Sequence, residues 1–470
     1  MNFTSFHFLL FFPAVCILYY LIPQRYKWQY LLVVSYLFYI NWQPIYAVLL
    51  FATTVVTYAG ARLIEKTEEK PVRRKSIFIA SCVIPISILV FYKYYNFVNG
   101  AVFDLLDRVG LRWPFPEIKL LLPIGISFYT FMAVGYVVDV YRRTIPAERN
   151  LGLYALFVSF FPQVTAGPIG RANSLISQLR NPSPDIRENI MEGLKQMMWG
   201  YFMKLCIADR LASYVDAVYG NLPQHNGSTL LLASVFYTVQ IYCDFAGYSL
   251  IAIGAARMMG IRLMENFRRP YFAKNVKEFW SRWHISLSTW FRDYVYIPLG
   301  GNRVSKSRHM GNLMLTFLVS GLWHGANWTF ILWGGMHGLL QVIETLWRRR
   351  TKLQFIRGGV PSFVKIFFTF MLVNFAWIFF RSPDIKTGWG IISKIFTSRG
   401  SLFVEKESLI LGCLSLLLLI AKDVADEYEI GFDLLSSKRL IISNLSMVLL
   451  ISYILLFGVL DSGQFIYFQF

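Results

Sequence analysis

The chain is 470 residues long, 56% hydrophobic and only 16% charged, well below the roughly 25% of a soluble domain. Apolar runs near the ~20 residues needed to cross a bilayer recur along its whole length, which excludes a soluble globular enzyme and predicts an all-α polytopic membrane protein. The net charge of +19 lies in short loops between apolar runs, not on a basic face with interleaved aromatics. That excludes nucleic-acid binding and fits cytoplasmic loops touching anionic membrane lipids.

The opening stretch MNFTSFHFLLFFPAVCILYYLIPQRYK has no basic n-region and no small-residue cleavage site. It reads as a first membrane helix, not a removable signal. Candidate spans are 8–23, 29–42, 45–61, 76–95, 119–141, 151–163, 190–207, 229–256, 310–342, 362–380, 408–421 and 439–458. Their uneven lengths predict tilted or re-entrant segments among them. The first seven residues lack Lys and Arg, Arg25 and Lys27 follow the first span, the loop Asn41–Pro44 is uncharged, and 62–75 carries six Lys/Arg. This alternation places the N-terminus outside, 96–118 facing outward and Arg142–Arg143 back in the cytoplasm.

FPQVTAGPIGR (161–171), with two prolines and two glycines, predicts a break in a helix. CDFAGYSLIAIG (243–254) sets Asp244 inside an apolar segment. Asp244 either pairs with a basic residue or caps a broken helix, or else it orients a catalytic histidine or lines a substrate path. Gly247, Gly254 and Ala246 permit close helix approach. Residues 262–309 are too polar to span. Trp280, Trp283, Trp290 and Phe291 recur there at helical intervals, with Arg282 and Lys277 on other faces. That predicts an amphipathic helix at the interface or folded into the protein.

Two histidines carry the chemical interest. His284 lies in the tryptophan-rich segment, with Trp280 and Ser288 one turn away. His324 lies near the start of an apolar run, with Asn327 and Trp328 one turn away. Ionisable groups at membrane depth usually mark a pathway or reaction centre, although a histidine bonded to a backbone carbonyl is the plainer alternative. A neutral imidazole accepts a hydroxyl proton at modest desolvation cost. His337 comes thirteen residues after His324, which on a continuous helix is ~220° and ~20 Å. The two then cannot share a metal, and His337 with Gly338 reads as packing.

His7, His225 and His309 read as solvated. The five scattered cysteines form no CxxC pair and read as packing residues. Without HExxH, paired CxxC or a carboxylate cluster, metal catalysis is disfavoured. No GxSxG elbow or phosphate-binding loop appears either. A histidine base acting on an acceptor hydroxyl is the simplest acyl-transfer scheme these residues allow.

KEFWSRWHISLSTWFRDYVYIPLGGNR (277–303), SGLWHGANWTFILWGGMHG (320–338), DFAGYSLIAIGAARMMGI (244–261), PIGISFYTFMAVGYVVDVYR (123–142) and FPQVTAGPIGR together resemble the membrane-bound O-acyltransferases. The nearest branch is the bacterial one that acetylates exported polysaccharides such as alginate, and the likeness is weakest beyond residue 345. The resemblance implies one membrane domain over 1–470, with 262–309 as a cytosol-facing amphipathic segment and 310–342 as the catalytic-histidine region. It implies a ring of about eleven tilted transmembrane helices with re-entrant segments around a central tunnel. It assigns His324 the catalytic position and His284 the second active-site position. Trp323, Asn327, Trp328 and Asp244 would contact substrate, and Arg282 and Arg292 would meet a phosphorylated donor unless they form structural ion pairs.

The resemblance further implies no bound cofactor, acetyl-CoA as the cytosolic donor and an exported polysaccharide as acceptor. It also implies an extracytoplasmic SGNH-type partner and residence in the bacterial inner membrane. Two rivals stand beside it. One is D-alanyl transfer to teichoic acid from a carrier protein, a branch that shares the WH and DFAGYS motifs and usually lacks YIPLGGNR (296–303). The other is a lipid or sugar transporter without chemistry.

Overall fold

Apolar surroundings offer no water to backbone groups, so each segment must bond its own N–H and carbonyl groups, which favours helices. Among the described residues the structure is helical and contains no strand. The computed structural model describes residues 2–42, 44–111, 113–118, 121–165, 167–350, 361–431, 435, 437 and 440–460. It divides into two compact units, Met1–Gly193 with Ala255–Met264, and Leu194–Gly254 with Glu265–Phe470. Among the described residues, four helices are long and apolar enough to cross a membrane: Pro44–Lys66, Pro71–Asp107, Gly227–Met258 and Ser362–Arg381. Phe6–Leu21, Ile126–Tyr141 and Ile441–Phe457 are shorter apolar helices.

In the first unit, Ser5 starts the helix Phe6–Leu21 by accepting the Phe8 N–H at 3.3 Å, an N-cap contact. Phe8 and Phe12 then join Phe38 and Phe161 in one aromatic cluster. Pro44–Lys66 and Pro71–Asp107 approach backbone to side chain at Gly60, where a Cβ would fall 1.9 Å from Ser81 Oγ. Residues 96–107, beyond the expected 76–95 span, continue the same helix. Gly100 is the only breaker among them, and a lone glycine costs ~1 kcal/mol, too little to stop a helix. At 1.5 Å per residue the 37 residues of Pro71–Asp107 run about 55 Å, more than the ~30 Å hydrocarbon core. Val83, Ile84, Val90 and Phe91 lie exposed along it, a surface suited to lipid.

The expected break at 161–171 is present. Leu151–Ser159 stops, Phe161–Val164 makes one turn, and Gln163 Nε2 donates to the Pro168 carbonyl at 2.7 Å. Ser35 Oγ accepts the Phe161 N–H at 3.1 Å, so the interrupted backbone keeps a partner. Gly125, at φ 73°, runs so close that a Cβ would lie 1.8 Å from the Val164 carbonyl oxygen.

In the second unit, Gly200 and Gly247 bring two helices into backbone contact. A Cβ on Gly247 would lie 2.7 Å from the Gly200 carbonyl oxygen, the close approach its motif predicts. Past Gly200 the helix widens into a π-helical turn, Phe202–Ala208, a local feature frequent at special sites. That turn carries Lys204.

Candidate active site

The expected 310–342 run is two helices, Lys306–His324 and Trp328–Arg350, so His324 closes a helix instead of riding inside one. Gly325 makes the break. Its backbone is extended, and a Cβ there would meet the Phe330 ring at 2.1 Å. Asn327 starts the second helix, accepting the Thr329 N–H at 3.0 Å and donating Nδ2 to the Pro383 carbonyl at 2.8 Å. The two helices fold back on each other at Gly321 and Gly334, where a Cβ on Gly334 would lie 2.3 Å from the Phe317 carbonyl oxygen. The continuous-helix geometry is thereby corrected. His324 and His337 both lie against Trp333, with ring centroids 4.9 Å away in each case.

His324 is 2% exposed, enclosed by Trp323 and Trp333 at 4.9 Å and by Phe380 at 5.4 Å. Trp323 also contacts the His284 ring at 6.1 Å. One indole therefore touches both histidines singled out from the sequence. His337 accepts the Trp280 Nε1–H at Nδ1, 3.2 Å away, which is the packing role expected of it.

The tryptophan-rich segment is likewise two short helices, Val276–Arg282 and Ile285–Phe291, not one. Trp280, Trp283, Trp290 and Phe291 are all buried, so the segment is folded into its unit. His284 sits at the joint with φ 41° and ψ 55°. This left-handed conformation costs a side-chain-bearing residue about 1–2 kcal/mol and persists where its surroundings impose it. The Arg268 N–H bonds the Arg282 carbonyl and the Ile285 N–H bonds the Asn266 carbonyl, each at 2.9 Å, and these clamp the joint. Asn266 Oδ1 lies 3.0 Å from His284 Nδ1. Burial alone pushes the His284 imidazole down to about 3, so the ring is neutral at physiological pH.

The other predicted residues lie as follows. Asp244 Oδ1 is 2.5 Å from Lys204 Nζ, which also meets Asp209 Oδ1 at 2.6 Å, so the pairing expected of a buried carboxylate is present. Arg282 bonds Glu427 at 2.8 Å and Glu278 at 2.7 Å, and Arg269 shares Glu427 at 2.8 Å. Arg292 is largely exposed and pairs with its neighbour Asp293. Trp328 is exposed. His7 is exposed and His225 half-buried. His309 is buried against Tyr296, which corrects its solvated placing, because the Tyr296 ring covers it. Asn266, Trp333 and Phe380 were not singled out from the sequence. For Asn266 the only signal was its place in the charged run MENFRRPYF.

A family model described as the membrane-bound O-acyltransferase family matches residues 148–382, a span holding Asn266, His284, His324 and His337. The chain is 40% identical over 388 residues to a probable alginate O-acetylase of Azotobacter vinelandii, covering 83% of this chain and 76% of that protein. It is 33% identical over 390 residues to the peptidoglycan O-acetyltransferase of Helicobacter pylori, covering 77% and 72%. Against the teichoic acid D-alanyltransferase of Streptococcus thermophilus the identity is 34% over 253 residues, covering 50% and 59%.

Proposed function

This chain belongs to the membrane-bound O-acyltransferase family, and on that footing we propose that it takes an acetyl group from cytosolic acetyl-CoA and passes it across the bacterial inner membrane. The acceptor is a hydroxyl of an exported polysaccharide, or of an extracytoplasmic SGNH-type partner that completes the transfer. The chain as a whole is a multi-pass membrane O-acyltransferase forming one membrane domain. About eleven tilted helices and re-entrant segments would ring a tunnel joining donor to acceptor.

The observation that carries the reading is the pair of buried imidazoles, His284 and His324, each in ring contact with the Trp323 indole. In the proposed reaction His324 accepts the proton of the acceptor hydroxyl as its oxygen attacks the thioester carbonyl. The C–S bond then breaks, the ester forms, and the thiolate of CoA recovers the proton. A general base contributes about 10²–10⁴-fold to such a step. His284 assists proton transfer or positions the donor. Trp323, Asn327 and Trp328 would border the substrate path, and Arg292, whose pair with Asp293 is solvent-exposed, would meet the donor phosphates more readily than Arg282, whose pairs with Glu278 and Glu427 are part-buried.

Acetyl transfer is preferred to D-alanyl transfer because the acetylating relatives align over most of this chain and the D-alanyltransferase over half of it. The test is purified full-length protein in lipid nanodiscs supplied with [¹⁴C]acetyl-CoA. Release of thiol, lost in His324→Ala with the fold retained, is expected. Turnover of a D-alanyl carrier protein instead, or full polymer acetylation by His324→Ala in cells, overturns the assignment.

A further inference from the structure

Asn266 belongs to none of the motifs by which the sequence advertises chemistry, yet its side-chain amide is bonded at both ends. Nδ2 donates to Ser249 Oγ at 3.1 Å, and Oδ1 accepts from Ser286 Oγ at 2.9 Å and from the Ser286 backbone N–H at 3.4 Å. A backbone N–H can only donate, so the atom facing Ser286 is the oxygen, and the amide orientation is set without reference to the histidine. That same oxygen is 3.0 Å from His284 Nδ1. A carbonyl oxygen has no hydrogen to give, so Nδ1 carries the proton. In a neutral imidazole the lone pair is then on Nε2.

We infer that Asn266 is a positioning residue of the active site, locking His284 as the Nδ1–H tautomer with Nε2 as its proton-accepting nitrogen. Its role in the reaction rests on the acyltransferase reading, whereas the tautomer does not. Asn266 acts twice on the same residue, since its main-chain carbonyl accepts the Ile285 N–H at 2.9 Å and so holds the left-handed turn at His284. Ser249 lies on the helix Gly227–Met258, so the serine of DFAGYS reaches the site through Asn266. A base in the opposite tautomer would present a hydrogen where a lone pair is needed.

Phe245 at 4.6 Å, Phe267 at 6.3 Å and Trp323 at 6.1 Å are among the rings packed on His284. Next to Phe245, Asp244 is paired with Lys204. Next to Trp323 stands His324, whose helix also carries Lys306, Arg308 and His309 toward its start, and beside Phe267 Arg268 pairs with Glu265. Burial is what lowers the basicity of His284, so a carboxylate introduced beside Nδ1 would dominate its titration.

The test is ¹⁵N NMR of the full-length chain in nanodiscs with ¹⁵N-labelled histidine, the His284 signals being assigned among six histidines by His284→Gln. The wild type should show a protonated Nδ1 and an unprotonated Nε2. Asn266→Ala should lose that preference. Asn266→Asp, nearly the same shape, should keep the imidazolium to higher pH, and it carries the test if the alanine variant does not fold.

With [¹⁴C]acetyl-CoA, Asn266→Ala should lower kcat on the order of tenfold or more with KM little changed. Asn266→Asp should move the acid limb of the pH profile upward, because His284 can assist proton transfer only while it is neutral. An Nε2–H signal in the wild type, or a tautomer unmoved by Asn266→Ala, overturns the inference. The expected NMR signature without any acetyl-CoA turnover leaves the tautomer lock standing and removes the acetyl-CoA reading.

Discussion

Replacing Lys204 with methionine removes the ammonium that two buried carboxylates, Asp209 and Asp244, share. The side chains of Lys204, Asp209 and Asp244 are 2%, 9% and 4% exposed, and Nζ lies 2.6 and 2.5 Å from the two oxygens. Water therefore cannot take over. Removing one partner of so buried a pair costs about 3–5 kcal/mol, most of it from the charge left behind. At roughly 2 °C per kcal/mol for a chain of this size or larger, the melting midpoint of Lys204→Met should fall by about 6–10 °C. The assay is tryptophan fluorescence of the purified protein during heating in nanodiscs. Lys204→Met combined with Asp209→Asn and Asp244→Asn carries no stranded charge and should recover most of the loss. A single variant within about 2 °C of the wild type, or a triple variant less stable than the single, would refute the reasoning. Asp244→Asn that abolishes turnover at unchanged stability would instead assign Asp244 to the substrate path.

Gly247→Val should cost about 1–3 kcal/mol by overpacking, since even its Cβ would lie 2.7 Å from the Gly200 carbonyl oxygen; an unchanged thermal midpoint would contradict that contact. Gly325→Ala should lower acetyl-CoA turnover, because its Cβ would drive into the Phe330 ring at 2.1 Å and shift the neighbouring His324; kcat equal to wild type counts against the proposed placement. Hydrogen bonds from Arg282, then from Arg269, hold Glu427 below its ordinary value of 4.5. A depressed carboxylate contributes stability above its unfolded pKa and loses it as pH falls through the folded one. Glu427→Gln should therefore be less stable at pH 7 by about 1.5–3 kcal/mol, with the gap closing below about pH 4; melting curves across that range decide it, and a gap independent of pH sinks the idea.

Membrane character and the helical build were legible in the sequence because both follow from sums over contiguous residues. Apolar transfer adds along a run, and backbone groups within it must bond locally. The break at 161–171 and the close approach at Gly247 are also local chemistry, a proline lacking its N–H and a glycine lacking its Cβ. His284 and His324 stood out because an ionisable ring in an aromatic, apolar context demands a reason.

Packing decided the rest. Gly325 is extended, a conformation open to any residue, and what forbids a side chain there is the ring of Phe330. From that break follow the position of His324 at a helix end and the approach of Trp333, on the next helix, to the His324 ring. His309, flanked by Arg308, looks solvated in one dimension and is covered by Tyr296 in three. Asn266 left no trace beyond its place in a charged run, since its side-chain partners stand 17, 18 and 20 residues away along the chain. Periodicity reports which way a side chain faces. What another segment places opposite it is set by the close packing of whole helices, a property no single run of residues contains.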